Sequence, residues 1–150
     1  MRARNIGLVF FPLLAMLGVL IMPGTALADE LFLVIAHPDV PVNAVALDEL
    51  GRMFTRDVTE WPDGTRIVPV ELAGATGTRE AFYKATLNTL VEDIASFWIR
   101  EAMTSGRRPP RSFSNPDLVV NYVAKTPGAI GFVAAGTHLR NLTVKTLRVR

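Results

Sequence analysis

Apolar positions fall into strand-like and helix-like patterns along most of the chain. A continuous apolar run at residues 31–36 predicts a strand that is covered on both faces. Residues 67–72 predict a second strand, and residues 129–134 predict a short buried strand. Residues 142–149 predict a fourth strand, which is polar enough for an edge of the sheet. Pro69 cannot donate a backbone hydrogen bond and therefore favours an edge position or a local break in the second strand.

Between these strands, apolar residues recur at the spacing of helices. The predicted helices cover residues 46–55, a segment beginning near Arg79, residues 90–103, and a segment beginning at Asn115 and Pro116. Thr89 and Glu92 have the spacing of a capping box, which indicates a helix start at that point. The order of elements is strand, helix, strand, three helices and two strands. This order predicts an α/β fold with a mixed β-sheet flanked by helices.

The N-terminal residues 1–28 have the pattern of a secretory signal peptide. Arg2 and Arg4 precede a long apolar stretch, and residues 26–28 form the small-residue pattern of a cleavage site. A retained transmembrane anchor is the alternative, but the apolar stretch is shorter than the roughly 20 residues that a span needs. We therefore expect a cleaved signal, a periplasmic or secreted location, and a single domain at residues 29–150.

Charge and composition exclude several classes of function. Two of the 16 basic residues lie in the expected signal and all 14 acidic residues lie after it, so residues 29–150 have no formal net charge. A nucleic-acid partner is therefore not expected. The chain has no cysteine and two histidines, and no group of residues has the spacing of a zinc site or a catalytic nucleophile. We expect no metal, no cofactor and no enzymatic activity.

The remaining basic residues are clustered. Arg107, Arg108 and Arg111 lie within residues 105–115, which form the longest stretch predicted to be irregular, and a second cluster lies near the C-terminus. Clusters of this kind are usually solvated surface, so neither is taken as a site.

The turn at residues 75–78, just before the helix that begins near Arg79, is the candidate ligand-binding site. Backbone N–H groups at the start of a helix have no partner within the helix, so they attract anions. Gly77 allows a ligand to approach closely. The hydroxyls of Thr76 and Thr78 and the guanidinium of Arg79 add further donors. We therefore predict a small-oxyanion site formed by Thr76, Gly77, Thr78 and Arg79.

Three short sequence motifs occur in a fixed order along the chain. Residues 50–64 contain a leucine, a phenylalanine and a Trp-Pro-Asp-Gly turn, residues 76–78 read Thr-Gly-Thr with Phe82 shortly after, and residues 126–133 read Thr-Pro-Gly-Ala-Ile-Gly-Phe-Val. In this order they resemble the periplasmic phosphate-binding proteins of ABC transporters, in which a Ser-Gly-Thr turn contacts phosphate. The resemblance covers about residues 31–133.

This resemblance implies two α/β lobes that clamp a ligand between them, with residues 76–78 as phosphate contacts. The family has an arginine four residues before the serine of its turn, whereas this chain has Leu72 there and Glu71 beside it. Glu71 is expected to be solvated, to select against dianions, or to favour a ligand that carries a hydrogen-bond donor. Residues 29–150 suffice for one periplasmic-binding-protein-like lobe, so half of the usual site is expected to be absent or minimal.

Two functional hypotheses follow from these features. In the first, the chain is a solute-binding module that binds phosphate or a similar oxyanion, weakly alone or more tightly with a partner lobe. An ABC permease, a sensor, a second lobe or a second copy of the chain would be its partner. In the alternative, the domain binds no ligand and serves as an interaction or scaffold module of the cell envelope. Stabilisation by anions would favour the first hypothesis.

Overall fold

The computed structural model describes residues 31–74, 76–139 and 143–150 of the 150-residue chain. The expected signal peptide, Ala75 of the candidate turn and Leu142 of the last predicted strand lie outside the described residues. The described strands are β1 (Phe32–Ala36), β2 (Ala44–Val45), β3 (Val68–Leu72), β4 (Arg111–Phe113), β5 (Ala129–Ala134) and β6 (Lys145–Val149). The described helices are α1 (Leu47–Phe54), α2 (Gly77–Leu87), α3 (Val91–Thr104) and α4 (Pro116–Lys125).

The strands form one mixed sheet in the order β2-β6-β1-β5-β3-β4. β1 is antiparallel to both of its neighbours, β5 and β6. β3 is parallel to β5 on one side and to β4 on the other, and β2 is parallel to β6. The prediction of an α/β fold with a mixed sheet flanked by helices is therefore confirmed.

The sheet separates two apolar layers, because successive residues of a strand point to opposite faces. Phe32 and Val34 of β1 face the layer that contains α1, α2 and α3, and Ile35 faces the layer that contains α4. β5 divides in the same way between Phe132 and Val133. Helices thus cover both faces of these central strands, which explains why their sequences are continuous apolar runs.

Four phenylalanines form the centre of the layer beneath α1 and α2. The rings of Phe82 and Phe132 are stacked with centroids 3.9 Å apart, and Phe32 and Phe54 make edge contacts with Phe82 at 5.3 and 4.6 Å. All four side chains are fully buried. Burial of each contributes about 1.5–3 kcal/mol, so this cluster fixes α2, and the turn that precedes it, against the sheet.

A hydrogen bond joins the first and the third of the three motifs. The indole Nε1 of Trp61 donates to the carbonyl oxygen of Gly128 at 3.0 Å, and the N–H of Val68 donates to the same oxygen at 3.1 Å. Gly128 has a φ of +76°, and a Cβ there would lie 2.2 Å from the carbonyl oxygen of Arg66. The loop before β3 and the turn before β5 therefore approach so closely that only glycine fits.

The structure corrects several sequence predictions. β6 lies between β1 and β2 and not at an edge, because the two-residue strand β2 pairs beyond it. Thr89 and Glu92 form no capping box, since Leu90 precedes α3 and makes no side-chain cap hydrogen bond. β3 lies inside the sheet and not at the edge that Pro69 favoured. Its pairing with β4 begins at Val70, so Pro69 has no partner residue in the short β4. The short strands β2 and β4 have no sequence periodicity that would reveal them.

We predict that Gly128→Ala destabilises the protein by at least about 2 kcal/mol, because the new Cβ combines a positive φ with a clash against backbone. Urea-induced unfolding measures the loss. Gly136→Ala is the matched control, because a Cβ at Gly136 meets no atom within 4 Å and its φ is not positive. Equal stability of the two variants would contradict the close approach at Gly128.

Candidate functional site

The candidate turn connects the end of β3 to α2 and forms the first turn of this helix. α2 begins at Gly77, and Thr76 is its N-cap residue. Oγ1 of Thr76 accepts a hydrogen bond from the N–H of Arg79 at 3.2 Å, and the carbonyl oxygen of Thr76 accepts one from the N–H of Glu80 at 2.9 Å. The Thr76 hydroxyl therefore serves to begin the helix.

The N–H groups of Gly77 and Thr78 are the donors that the turn offers to a ligand. Neither has a hydrogen-bond partner among the described residues. Gly77 is exposed and Thr78 is half-buried. A Cβ added to Gly77 would meet no atom within 4 Å, so the described residues leave room for a ligand beside it. These two N–H groups, with the hydroxyl of Thr78 nearby, are suited to a single small oxyanion.

The guanidinium of Arg79 is directed to a carboxylate on β3. Its Nε and Nη2 donate to the two carboxylate oxygens of Glu71 at 3.3 and 3.1 Å, and its Nη1 donates to the carbonyl oxygen of Gly74 at 3.3 Å. The side chains of Arg79 and Glu71 are 13% and 4% exposed, so water screens their attraction only weakly. Arg79 thus supports the turn from within the fold.

Tyr83 completes this cluster one turn further along α2. Its hydroxyl donates to Oε2 of Glu71 at 2.5 Å, and the guanidinium carbon of Arg79 lies 5.4 Å from the centre of its ring. Burial, and next the negative charge of Glu71, raise the pKa of Tyr83 well above its usual value. The phenol therefore keeps its proton and remains a donor to the carboxylate.

Glu71 is buried, so the expectation that it is solvated is wrong. Val70 and Leu72 face the layer of α4, whereas the intervening Glu71 faces α2 and its Tyr83. A buried carboxylate without a partner would cost several kcal/mol, which the contacts with Arg79 and Tyr83 offset. Because Glu71 neutralises Arg79, a ligand at the turn would meet the start of the helix without an additional positive charge.

Sequence reasoning omitted Tyr83, although two regular spacings point to it. Residues four apart share one face of a helix, which places Tyr83 beside Arg79. Alternation along β3 places Glu71 on the face opposite to Val70 and Leu72. Glu71, Arg79 and Tyr83 come together because α2 packs on the sheet, and this packing cannot be predicted from local spacing.

An open cavity of about 530 Å³ adjoins the turn, with Gly77 among its lining residues. Its walls come from α2 and the beginning of α3. The charged groups that line it are Glu80, Lys84 and Glu92, so two carboxylates outnumber one ammonium. The cavity therefore provides space beside Gly77 but no net positive charge for an anion.

Other chemistry is limited in the part of the chain that the structure describes. His37 forms a turn, in which its carbonyl oxygen accepts the N–H of Val40 at 3.0 Å and its Nδ1 accepts that of Asp39 at 3.2 Å. Within residues 31–74, 76–139 and 143–150, no group of three or more His, Cys, Asp or Glu residues could hold a metal ion. No helix in these ranges has the length and apolar character to cross a membrane. The turn before α2 stays the candidate site.

The mixed sheet with helices on both faces is similar to part of several solved structures. Similar solved structures include a possible phosphate binding protein from Planctomyces limnophilus, with a TM-score of 0.58, 15% identity and 80% of this chain covered. An ABC-type phosphate transport receptor from Vibrio cholerae has a TM-score of 0.54, 16% identity and 79% coverage. PstS from Borrelia burgdorferi has a TM-score of 0.59, 12% identity and 86% coverage.

The chain spans about half the length of these proteins, of which 41%, 46% and 54% are covered. No family model and no curated protein sequence matches the chain. Likeness at such low identity shows the fold alone, so the ligand has to be argued from the site.

We predict that Arg79→Ala lowers the free energy of unfolding by about 3–5 kcal/mol, because it leaves the buried carboxylate of Glu71 without its cation. Urea-induced unfolding measures this loss. Arg107→Ala is the matched control, since it also removes an arginine from carboxylates. Its partners Asp57 and Glu101 are 50% and 19% exposed, so a much smaller loss is expected. Equal losses would contradict the structural role of Arg79.

We predict a fall in stability at alkaline pH that depends on Tyr83. Because the pKa of Tyr83 is higher in the folded than in the unfolded chain, its stabilising contribution is complete below the unfolded pKa of about 10 and is lost as the pH rises further. Tyr83→Phe should therefore flatten the decline of the unfolding free energy above about pH 10.

Urea unfolding at a series of pH values measures this slope. Tyr122→Phe is the matched control, because Tyr122 is the other of the two tyrosines and packs against Phe113, with no hydrogen bond to Glu71 among the described residues. An unchanged slope in Tyr83→Phe would contradict the prediction.

Proposed function

We propose that the chain is a solute-binding-protein-like module that binds a small oxyanion such as phosphate at the turn before α2. The observation that carries this proposal is the pair of N–H groups at Gly77 and Thr78, which point from a helix start without a described partner. Thr78 adds its hydroxyl, Thr76 begins the helix, and Arg79 contributes through its contact with the turn. The fold shared with phosphate-binding proteins supports the same proposal.

The free energies favour weak binding. A helix start stabilises an anion by about 0.3–1 kcal/mol when exposed and by up to about 2 kcal/mol when partly buried. Each hydrogen bond to a charged group adds about 1.5–3 kcal/mol, and association opposes binding by several kcal/mol. With Arg79 neutralised by Glu71, the net is closer to the roughly 4 kcal/mol of millimolar binding than to the roughly 8 kcal/mol of micromolar binding. Tighter binding would need a second surface.

The module would act with a partner and outside the cytoplasm. We propose that residues 1–28 are a cleaved signal, that residues 29–150 form one lobe, and that the location is periplasmic or secreted. An ABC permease, a sensor, a partner lobe or a second copy of the chain would supply the other half of the site. The proposal includes no metal, no cofactor and no enzymatic activity.

An interaction module without a ligand is the second candidate function. The contact between Glu71 and Arg79 favours it, because an internal carboxylate occupies the guanidinium nearest the turn. In this case the helix start is retained for folding, and the surface around it contacts another protein of the cell envelope.

Melting of the purified protein in phosphate separates the two candidates. If the dissociation constant is about 1 mM, phosphate at ten times this concentration should stabilise the wild type by about 1.4 kcal/mol. Thr78→Ala should reduce the shift in the melting midpoint. Glu71→Gln should enlarge it, because it removes the carboxylate and releases the guanidinium of Arg79 for the ligand.

Two controls make the melting experiment specific. Thr104→Ala removes an exposed threonine far along the chain and should leave the phosphate shift unchanged. Sodium chloride at equal ionic strength should give no shift of comparable size. A folded wild type without any shift in phosphate, sulfate or carboxylates would exclude the oxyanion module and leave the interaction module.

A further inference from the structure

A second cavity, of about 440 Å³, lies at the end of α3 and is lined mainly by arginines. Its lining residues are Arg56, Thr59, Arg66, Gly106, Arg107 and Arg108. They come from the chain after α1, from the loop before β3 and from the chain after α3. The volume lies in the range of small-molecule sites, which is about 300–1,000 Å³.

Arg107 fastens the two helix ends that frame this cavity. Its Nε donates to Glu101 of α3 at 2.6 Å, and its Nη1 donates to Asp57 at 2.8 Å and to the carbonyl oxygen of Thr55 at 3.3 Å. Two carboxylates therefore hold Arg107 in place and more than offset its charge, which leaves one net negative charge in this group. The positive charge available to a ligand has to come from the other three arginines.

Those three arginines have no carboxylate partner in the described residues. Arg56, Arg66 and Arg108 form no salt bridge there. Glu60 lies opposite Arg66 in a backbone bridge, but it makes no salt bridge and does not line the cavity. The cavity therefore combines three guanidinium groups that lack a salt-bridge partner among the described residues, and their charge exceeds that of the surplus carboxylate beside Arg107 by two.

Arg56 is the least compensated of the three. Its Nε is fully buried and has no hydrogen-bond partner among the described residues. Burial, and next the charge of Arg66, lower the pKa of the Arg56 guanidinium below its usual value. A buried N–H donor of a cation that has no acceptor lowers the stability of the fold, so a bound acceptor would explain why it is there. An anion in the cavity would supply both the acceptor and the opposite charge.

The backbone at Arg56 gives no reason of its own for an arginine. The N–H groups of Arg56 and Asp57 donate to the carbonyl oxygens of Met53 and Arg52, which is the Schellman pattern of a helix end. Arg56 stands at the left-handed position with a φ of 61°, where glycine is the least strained residue. The backbone therefore does not account for an arginine at this position, where the side chain lines the cavity.

We propose that this cavity is an anion-binding site, separate from the turn, that takes a multivalent oxyanion carrying phosphoryl groups. Guanidinium groups donate pairs of parallel hydrogen bonds to phosphoryl oxygens, so three of them can hold more than one phosphoryl group. The turn and the cavity are well separated, because Gly77 lies beside the beginning of α3 and the cavity beside its end. The 14 residues of α3 span roughly 20 Å.

Calorimetric titration with inorganic pyrophosphate tests the proposal. The double variant Arg66→Gln/Arg108→Gln should weaken binding about tenfold or more, because it removes two of the three uncompensated charges. Both side chains are exposed, so the variant should fold normally. The matched control Arg100→Gln/Lys125→Gln also removes two exposed positive charges, but neither residue lines the cavity, and binding should change less than about twofold.

Two further measurements test where pyrophosphate binds and whether the phosphoryl group belongs to a free anion or to a lipid headgroup. Thr78→Ala should leave pyrophosphate binding unchanged, which separates this site from the proposed function of the turn. Phosphatidylcholine vesicles with and without phosphatidic acid test a lipid headgroup in place of a free anion. The proposal is supported if the wild type binds pyrophosphate or the phosphatidic acid vesicles and Arg66→Gln/Arg108→Gln loses this binding. Absence of binding to both, equal loss in the two double variants, or loss in Thr78→Ala would overturn it.

Discussion

The burial of one carboxylate, that of Glu71, constrains the part of the fold around the candidate turn. A charge enclosed between β3 and α2 is tolerated only if its partners are held in place. Arg79 and Tyr83 meet this requirement from successive turns of α2. The first turn of α2 therefore has to lie directly over the end of β3. The stacked phenylalanines Phe82 and Phe132 hold the helix in that position from the apolar side.

The same constraint determines what the turn can bind. In a helix start that faces solvent, a neighbouring arginine would add its charge to that of the backbone N–H groups. Here the guanidinium of Arg79 pairs with Glu71 within the fold, so an anion at the turn would meet the backbone donors of Gly77 and Thr78 without that added charge. The arrangement of backbone N–H groups at a helix start can thus occur without the added positive charge of a neighbouring arginine. In this chain the helix start leaves two backbone N–H groups without a partner among the described residues, while the internal carboxylate of Glu71 offsets the charge of Arg79.

The sequence predicted those features that depend on local patterns. β1 and β5 were predictable because both of their faces are covered, and the start of α4 because Asn115 caps it through its side chain. β2 and β4 were not, because strands of two and three residues exist only through their neighbours in the sheet. The helix start near residues 76–79 was predicted from the sequence, but the direction of the Arg79 side chain depends on tertiary packing. Arg107 and Arg108 were predicted to lie on a solvated surface. The sequence does not show that Arg56 and Arg66, which are distant along the chain, line the same cavity.

The distribution of charge matters more here than its sum. Residues 29–150 are formally neutral, which argued against a nucleic-acid partner. Within the described structure, however, compensation is uneven. Glu71 neutralises Arg79 beside the turn, whereas Arg56, Arg66 and Arg108 have no carboxylate partner at the far end of α3. Electrostatic attraction of an anion acts over about 8–10 Å at physiological salt, so it responds to each end of α3 separately. The cavity that we propose as an anion site therefore has more positive charge without a salt-bridge partner in the described residues than the turn that resembles a phosphate site.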